Sequence, residues 1–335
     1  MATWPVIGHE WATDLLARAI TGPAQTGGER RLSHAYLFTG PAQVGKTTLA
    51  RAFAQAILCE TQAGTPCGAC RVCQRIAAGR YPDVQLVIAE KNTIQIDQVR
   101  ALQIAAALSP LEGAYRIFII REIERATPPA ANALLKTLEE PPPQVILLLT
   151  SAHRDQLLPT ILSRCQIIGL RPTPLGQIQA ALETHWGVDP ARAALLARLS
   201  AGRLGWAVNA HTDPELWQAR AKRLDDLLAL TAAGRLGRLA YTETLSRQGD
   251  AIERTLGLWA TWWRDVLLVQ QGLAAEIVNL DRRVQLAQQA DLYRPEQVEA
   301  ALEDLIQTLR RLRANVNARL ALDVLALRLP RPAVV

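Results

Sequence analysis

The residues between Gly40 and Thr48 have the types and the spacing that phosphate binding requires. Gly40, Gly45, Lys46 and Thr47 match the pattern G-x-x-x-x-G-K-[ST]. Glycines let the backbone bend so that successive N–H groups point at phosphate oxygens, and the following helix N-terminus adds partial positive charge. In this pattern the lysine reaches the β- and γ-phosphates and the threonine hydroxyl binds Mg²⁺. We assign Thr48, the next residue, to the same site; the alternative is a glycine turn that joins strand to helix by chance.

Four of the five cysteines lie within fifteen residues, at the spacing C-x7-C-x2-C-x2-C: Cys59, Cys67, Cys70 and Cys73. Disulfides are disfavoured in cytosolic chains, whereas C-x2-C pairs suit tetrahedral Zn²⁺. A redox pair or a coincidence of spacing remains as an alternative. Four thiolates leave no open coordination position, so the zinc ion that this spacing predicts is structural and not catalytic.

The elements around the phosphate loop predict an α/β fold. A buried strand at residues 36–38 precedes the loop, and a helix from Gly45 to about residue 58 follows it. Further strands are predicted at residues 83–88, 116–120 and 145–149, and helices at residues 10–21, 96–106 and 132–140. The run RIFII at residues 116–120 has no polar alternation, as expected in a parallel sheet. Strands that alternate with helices indicate a doubly wound sheet.

Beyond residue 171 the sequence is helical, with many alanines and leucines. Asp213 followed by Pro214 predicts an N-cap and the first position of a new helix. The sequence therefore predicts three domains: residues 1–170 with the cysteine module at 59–73, a small helical domain at 171–209, and a helical domain at 210–335. We expect the tryptophans at 259, 262 and 263 to pack in a helical core rather than bind a ligand.

Composition excludes few classes of function. The 335-residue chain is 49% hydrophobic and 20% charged, as in an ordinary globular protein, and its net charge of +6 permits an acidic partner such as DNA without requiring one. No apolar run approaches the ~20 residues that a membrane span needs. The N-terminal residues lack the pattern of a signal peptide. These features predict a cytoplasmic protein with no membrane partner.

Several stretches resemble one family. The phosphate loop with cysteines inserted after its helix is similar to the AAA+ subunits of the bacterial clamp loader. So are the stretch NALLKTLEEPP at residues 132–142 and Ser-Arg-Cys at residues 163–165. Three further stretches resemble the delta-prime type of subunit: HAYL at 34–37, IDQVR at 96–100 and NVNARLALD at 315–323. The resemblance covers nearly the whole chain.

The resemblance implies a subunit of a hetero-pentameric ring, with motor and clamp-opening subunits as partners. Such a ring opens the sliding clamp and loads it on primed DNA. An AAA+ domain, a helical lid and a C-terminal collar domain are implied. In this family the arginine of the Ser-Arg-Cys stretch reaches ATP bound by a neighbouring subunit, which assigns Arg164 as an arginine finger in trans; the alternative is a surface salt bridge. Arg203 lies where the lid's sensor arginine is expected, or else it binds carbonyls at a helix C-terminus.

One departure from the pattern bears on mechanism. A hydrolysing phosphate-loop ATPase needs a pair of carboxylates after the strand that precedes NALLKTLEEPP, to hold Mg²⁺ and to position water. Counting back from Asn132 places this pair at Arg121 and Glu122. A fixed positive charge opposes metal binding, so we expect weak or absent hydrolysis, although Glu124 could substitute. Thr150 or Ser151 could supply a helper hydroxyl.

The sequence leaves open whether ATP or ADP, with Mg²⁺, occupies the loop. It also leaves two alternatives to an interaction subunit of this kind. One is an active motor subunit of the same loader, of the gamma or tau type. The other is a phosphate-loop regulator whose zinc module binds a different partner. Arg121 argues against the first alternative, and the two family stretches at 132–142 and 163–165 argue against the second.

Overall fold

The computed structural model describes residues 4–22, 32–249, 251–314 and 316–332. The chain divides into two compact units. Unit 1 comprises Met1–Trp186 and Ser200–Trp206, and unit 2 comprises Gly187–Leu199 and Ala207–Val335. The division into three domains that the sequence suggests stays a prediction.

Unit 1 is built on a five-stranded parallel sheet. Its strands are β1 (Ala35–Thr39), β2 (Val84–Val87), β3 (Arg116–Ile120), β4 (Val145–Ser151) and β5 (Gln166–Gly169), in the order β2-β3-β4-β1-β5. Every residue of β1, β3 and β4 is buried, because helices cover both faces. The parallel α/β fold predicted from the sequence is confirmed. All parallel strands end at one edge, which brings the residues after β1, β3 and β4 together.

In the described part of the chain, seven helices accompany this sheet. They are α1 (Glu10–Thr21), α2 (Lys46–Leu58), α3 (Arg71–Ala77), α4 (Ile96–Ala106), α5 (Pro128–Glu139), α6 (Pro159–Leu162) and α7 (Leu175–Trp186). The helix predicted at residues 132–140 begins four residues earlier, at Pro128. Its first two residues are prolines, whose fixed φ and missing N–H suit the first turn of a helix.

The remaining helices run to residue 328. They are α8 (Pro190–Ser200), α9 (Leu204–Thr212), α10 (Pro214–Ala232), α11 (Arg235–Ser246), α12 (Ala251–Gln270), α13 (Arg283–Leu292), α14 (Pro295–Arg313) and α15 (Ala318–Arg328). Asp213 caps α10 as predicted, since its side chain accepts a hydrogen bond from the N–H of Glu215 at 2.9 Å. No helix among the described residues is long and apolar enough to span a bilayer.

The core of unit 2 forms around the tryptophans of α12. Trp259, Trp262 and Trp263 are at most 2% exposed, which confirms that they are core residues. On α14, Ala301 and Thr308 are buried, whereas Ile306 is 40% exposed. The residue Asn315, which belongs to a stretch used for the family resemblance, lies outside the described residues.

Candidate nucleotide-binding site and metal centre

The phosphate loop joins β1 to α2 as a strand–turn–helix. Gly40 has φ +137° and Gly45, the N-cap of α2, has φ +110°. Side chains rarely adopt these angles, so both positions favour glycine. A Cβ added at Gly40 would also collide with the carbonyl of Leu170. The glycine positions of the motif therefore have a structural cause, and α2 presents its N-terminal N–H groups at the loop.

Lys46 is enclosed at the start of α2. It is only 7% exposed, and its Nζ donates to the carbonyls of Gly40 at 2.6 Å and Pro41 at 2.7 Å. Burial lowers the pKa of Lys46 to about 8, and the charges of Glu124 and Glu122 partly offset this effect. Of the next two residues, Thr47 is half-buried and Thr48 is exposed. The lysine is thus held over the turn that would cradle a phosphate.

Arg121 is the first residue after β3, at the position where a hydrolysing phosphate-loop ATPase would have its first carboxylate. Its side chain is 46% exposed, and its nearest carboxylate oxygen, on Glu122, lies 4.0 Å away. Glu122 has a left-handed backbone, φ +52°, and pairs with Arg125 Nε at 2.7 Å. The Glu122 N–H donates to the hydroxyl of Thr150 at 3.1 Å. The carboxylate beside Arg121 is therefore already engaged by a cation of its own segment.

Glu124 supplies the carboxylate with the strongest effect on Lys46. Its Oε1 accepts the N–H of Ala152 at 2.7 Å, while its Oε2 is buried and has no partner among the described residues. Its charge raises the pKa of Lys46 more than that of Glu122 does. Both candidate helper hydroxyls already accept a hydrogen bond from the backbone. Ser151 Oγ accepts the N–H of His153 at 3.1 Å, and the Thr150 hydroxyl accepts the N–H of Glu122.

Two further contacts, which sequence patterns did not reveal, help to shape the phosphate loop. His9 is 1% exposed, and its Nε2 lies 3.1 Å from the carbonyl of Val44. Gly205 donates its N–H to the carbonyl of Gln43 at 2.9 Å, and Gln43 has φ +63°. A lone histidine and a motif position that accepts any residue carry no sequence signal, so these contacts required the structure.

Arg203 lies close to this loop but binds a helix end. Its Nε donates to the carbonyl of Ser200 at 2.8 Å, at the C-terminus of α8, and burial lowers its pKa. Ala201 and Gly202 turn the chain with φ +50° and +81°. The carbonyl contact is the second of the two interpretations offered by the sequence. A sensor role stays a prediction, supported by the contact of the neighbouring Gly205 with the loop.

The four cysteines after α2 come together as a cluster. The sulfur atoms of Cys59, Cys67, Cys70 and Cys73 all lie within 4.8 Å of one another and could hold a metal ion. The N–H of Cys70 donates to Cys67 Sγ, and the N–H of Cys73 donates to Cys70 Sγ, both at 3.3 Å. Cys165 stands apart, and burial raises the pKa of its thiol to about 12. The cluster is a set of soft donors suited to tetrahedral coordination.

Arg164 follows α6 and is partly exposed, at 33% of its side chain. Its Nη2 pairs with Glu139 at 2.7 Å, and its Nη1 donates to the carbonyl of Thr160 at 3.0 Å and to Ser163 Oγ at 3.3 Å. The surface salt bridge considered from the sequence therefore exists. An ion pair this exposed is weak, so it leaves the guanidinium available to a stronger anion.

Comparison with known proteins gives two family matches. Residues 22–174 match the family described as DNA polymerase III, delta subunit, and residues 214–330 match its C-terminal counterpart. The DNA polymerase III subunit delta′ of Bacillus subtilis is 31% identical over 303 residues, covering 89% of this chain and 91% of that protein. The subunit delta′ of Escherichia coli is 31% identical and covers 88% of each.

Other similarities are more limited. The DNA polymerase III subunit tau of Escherichia coli is 36% identical over 205 residues, which is 59% of this chain but 31% of that protein. A solved structure of a DNA polymerase III gamma subunit-related protein from Thermotoga maritima covers 95% of this chain at 18% identity. Its TM-score of 0.43 is too low to carry an argument.

Proposed function

This chain belongs to the family of DNA polymerase III delta-prime subunits, and we propose that it is a clamp-loader subunit that helps to load the sliding clamp on primed DNA. The observation that carries the proposal is the extent of the match, 31% identity across 89% of this chain and 91% of the Bacillus subtilis subunit. A shared phosphate loop alone would match only the first half of the chain.

Within a hetero-pentameric ring, Arg164 acts on ATP bound by the neighbouring motor subunit. An arginine supplied in trans stabilises charge on the transferring phosphoryl group and is typically worth about 10³-fold or more in rate. Partial exposure supports this role, because a phosphate can reach the guanidinium and charge-assisted hydrogen bonds to phosphate are strong. The clamp-opening subunit, the sliding clamp and primed DNA are the other partners, and the helical residues 210–335 serve assembly.

The chain's own site binds nucleotide, ATP or ADP, but turns it over slowly. Gly40, Gly45, Lys46 and Thr47 would hold the phosphates and Mg²⁺, and the proposal assigns Thr48 and Arg203 to the same site. Mg²⁺ supplies charge neutralisation on the β- and γ-phosphates. Arg121, in place of the first carboxylate, repels the metal, and Arg125 engages Glu122. Slow turnover follows from these two features.

The cysteine cluster holds a structural zinc ion in this proposal. Four sulfur donors match the ligand number and softness that zinc prefers in structural sites. With all four positions filled by protein, no position remains for water or substrate. The metal would therefore stabilise the segment between α2 and α3 rather than take part in a reaction.

An active motor subunit is the alternative, favoured by the 36% identity to subunit tau over 205 residues. The two functions differ in a direct measurement. A measurable single-turnover hydrolysis rate for the isolated chain, abolished by Lys46→Ala, would support the motor and contradict the proposal. We expect no hydrolysis above the background of the Lys46→Ala variant.

The main experiment assembles a ring from motor subunits, the clamp-opening subunit and this chain, and measures ATP turnover stimulated by clamp and primed DNA. We expect Arg164→Ala to lower turnover by about tenfold or more in a ring that still assembles. Arg80→Ala, at an exposed arginine after α3, is the matched control and should leave turnover unchanged. Unchanged turnover with Arg164→Ala would remove the catalytic part of the proposal, and failure to form any mixed ring would remove the whole.

A further inference from the structure

The contact between Arg164 and Glu139 has a geometry that does more than neutralise a charge. Nη2 forms an ion pair with Glu139 at 2.7 Å, and Nη1 donates hydrogen bonds to the Thr160 carbonyl and to Ser163 Oγ. Of the five N–H donors of a guanidinium, Nη1 uses two in hydrogen bonds and Nη2 faces Glu139 in the ion pair, so the N–H of Nε and one N–H of Nη2 have no partner among the described residues. The group is both fixed in orientation and able to bind one further anion.

Of these contacts, only the one with Glu139 comes from a different element. Thr160 and Ser163 belong to the α6 segment that carries Arg164, whereas Glu139 is the last residue of α5. The contacts within the segment do not by themselves fix the direction of the side chain, because their acceptors belong to the same segment. The Glu139 contact ties the guanidinium to a helix packed on the sheet, which gives it a defined direction.

The position of Glu139 is unfavourable unless this contact is made. The C-terminus of a helix carries partial negative charge, which repels a carboxylate in its last turn. Glu139 ends α5, and Glu140 follows it as the C-cap residue. The Arg164 guanidinium compensates the repulsion at Glu139, so both side chains gain from the pair.

We propose that Glu139 is a positioning residue, which holds the Arg164 guanidinium in the orientation that meets the phosphate of the neighbouring subunit. The inference rests on the proposed function of Arg164 as the arginine supplied in trans. Glu139 keeps its bond to Nη2 while the two free N–H donors bind the phosphate oxygens. Without Glu139, Arg164 spends part of its time in other rotamers and assists fewer turnovers.

The expected effect is smaller than the loss of Arg164 itself. An exposed ion pair shifts a population by about two- to fivefold. In the mixed ring, Glu139→Ala should therefore lower kcat for clamp- and primer-stimulated ATP turnover by about this factor. The KM for ATP should stay unchanged, because an arginine that acts on the transition state does not determine ground-state binding.

A double-mutant cycle provides the decisive readout, and the matched control is Glu140→Ala, which removes the same charge from the adjacent exposed position. If Glu139 acts through Arg164, Glu139→Ala has no effect in an Arg164→Ala background. Glu140→Ala should leave kcat unchanged in both backgrounds. A structural role of Glu139 would lower kcat equally in both backgrounds and would overturn the inference.

The remaining outcomes separate the inference from the proposed function. If Arg164→Ala lowers kcat but Glu139→Ala does not, the inference is wrong and the function of Arg164 stands. If Arg164→Ala has no effect, the proposed function of Arg164 is wrong, and the inference with it. An increase in kcat with Glu139→Ala would mean that Glu139 competes with phosphate, which also overturns positioning. If the Glu139→Ala ring does not assemble, Glu139→Lys against Glu140→Lys provides the same comparison, with a larger fall expected for Glu139→Lys.

Discussion

Lys46 is the residue whose ionisation should control nucleotide binding in this chain. Its pKa of about 8 lies well below the usual value for lysine, because burial disfavours the ammonium ion and Glu124 and Glu122 only partly compensate. A bound phosphate would favour the ammonium and raise this pKa. Binding therefore requires proton uptake above about pH 8 and weakens as pH rises.

We expect the affinity of the isolated chain for ATP to fall roughly tenfold between about pH 7.5 and about pH 9, measured by titration calorimetry. Lys46→Arg is the control, because a guanidinium stays charged throughout this range. Its affinity, whatever the absolute value, should not vary with pH. The same fall in the Lys46→Arg variant would assign the pH dependence to another group.

Arg121 is the residue that we hold responsible for weak metal binding at the site. Arg121→Asp replaces a repelling charge with a ligand, so Mg²⁺ should increase ATP affinity roughly tenfold more in this variant than in the wild type, about 1.4 kcal/mol. Calorimetric titrations with and without Mg²⁺ measure the difference. The matched control is Arg80→Asp, the same change at an exposed position after α3. An equal Mg²⁺ effect in wild type and Arg121→Asp would contradict the role given to Arg121.

Sequence reasoning located these residues but not their partners. The motif spacing identified Lys46 and the distance in sequence from Asn132 identified Arg121, since both depend on position along the chain. The bonds of Lys46 to the carbonyls of its own loop, and the pairing of Glu122 with Arg125, depend on rotamers and on backbone angles such as φ +52° at Glu122. No pattern of residue types specifies these features.

At the scale of elements, the segment that links α2 to α3 carries the cysteine cluster. Cys59 and Cys73 are buried, whereas Cys67 and Cys70 are partly exposed. Hydrogen bonds from backbone N–H groups to sulfur organise the segment, but thiols are weak acceptors. A metal ion would therefore supply much of the segment's stability.

We expect the purified chain to contain one equivalent of zinc and to lose at least about 5 °C in its thermal midpoint when a strong chelator removes it. Cys67→Ser should lower the zinc content and the thermal midpoint in the same way. Cys165→Ser, at the cysteine outside the cluster, should change neither. A metal-free wild-type chain with the same thermal midpoint as the metal-loaded chain would rule out a structural role.

The positions of strands were largely predictable where a strand contains a continuous run of apolar residues. The strands β1, β3 and β4 were recognised because each is apolar over its length, and β4 continues to Ser151 because it pairs with β1 through Thr39. The four-residue strand β5 was not predicted, since Gln-Ile-Ile-Gly is too short to show a pattern. The start of α5 at Pro128 was not predicted, although its two prolines suit the first turn of a helix as Pro214 does in α10.

At the scale of the whole molecule, each unit has its own core. In unit 2 a buried arginine binds the carbonyls at the ends of two helices. Arg238 on α11 is 1% exposed and uses all five of its N–H donors on backbone carbonyls. The acceptors lie at the ends of α10 and α15: Thr231, Ala233, Ala326, Leu329 and Pro330. One side chain thus satisfies carbonyls that two helix ends would otherwise leave without partners.

Arg238→Met should therefore destabilise unit 2 by about 2–4 kcal/mol, because it keeps the apolar stem but leaves buried carbonyls without donors. Hydrogen exchange measured by mass spectrometry should show faster exchange in α11 and α15. Arg328→Met is the matched control on α15, where the side chain is 60% exposed and pairs with Asp304. It should cost no more than about 1 kcal/mol. If the two variants showed the same rates of hydrogen exchange in α11 and α15, the carbonyls around Arg238 would have to be satisfied without its side chain. Apolar packing would then hold the last turn of α15.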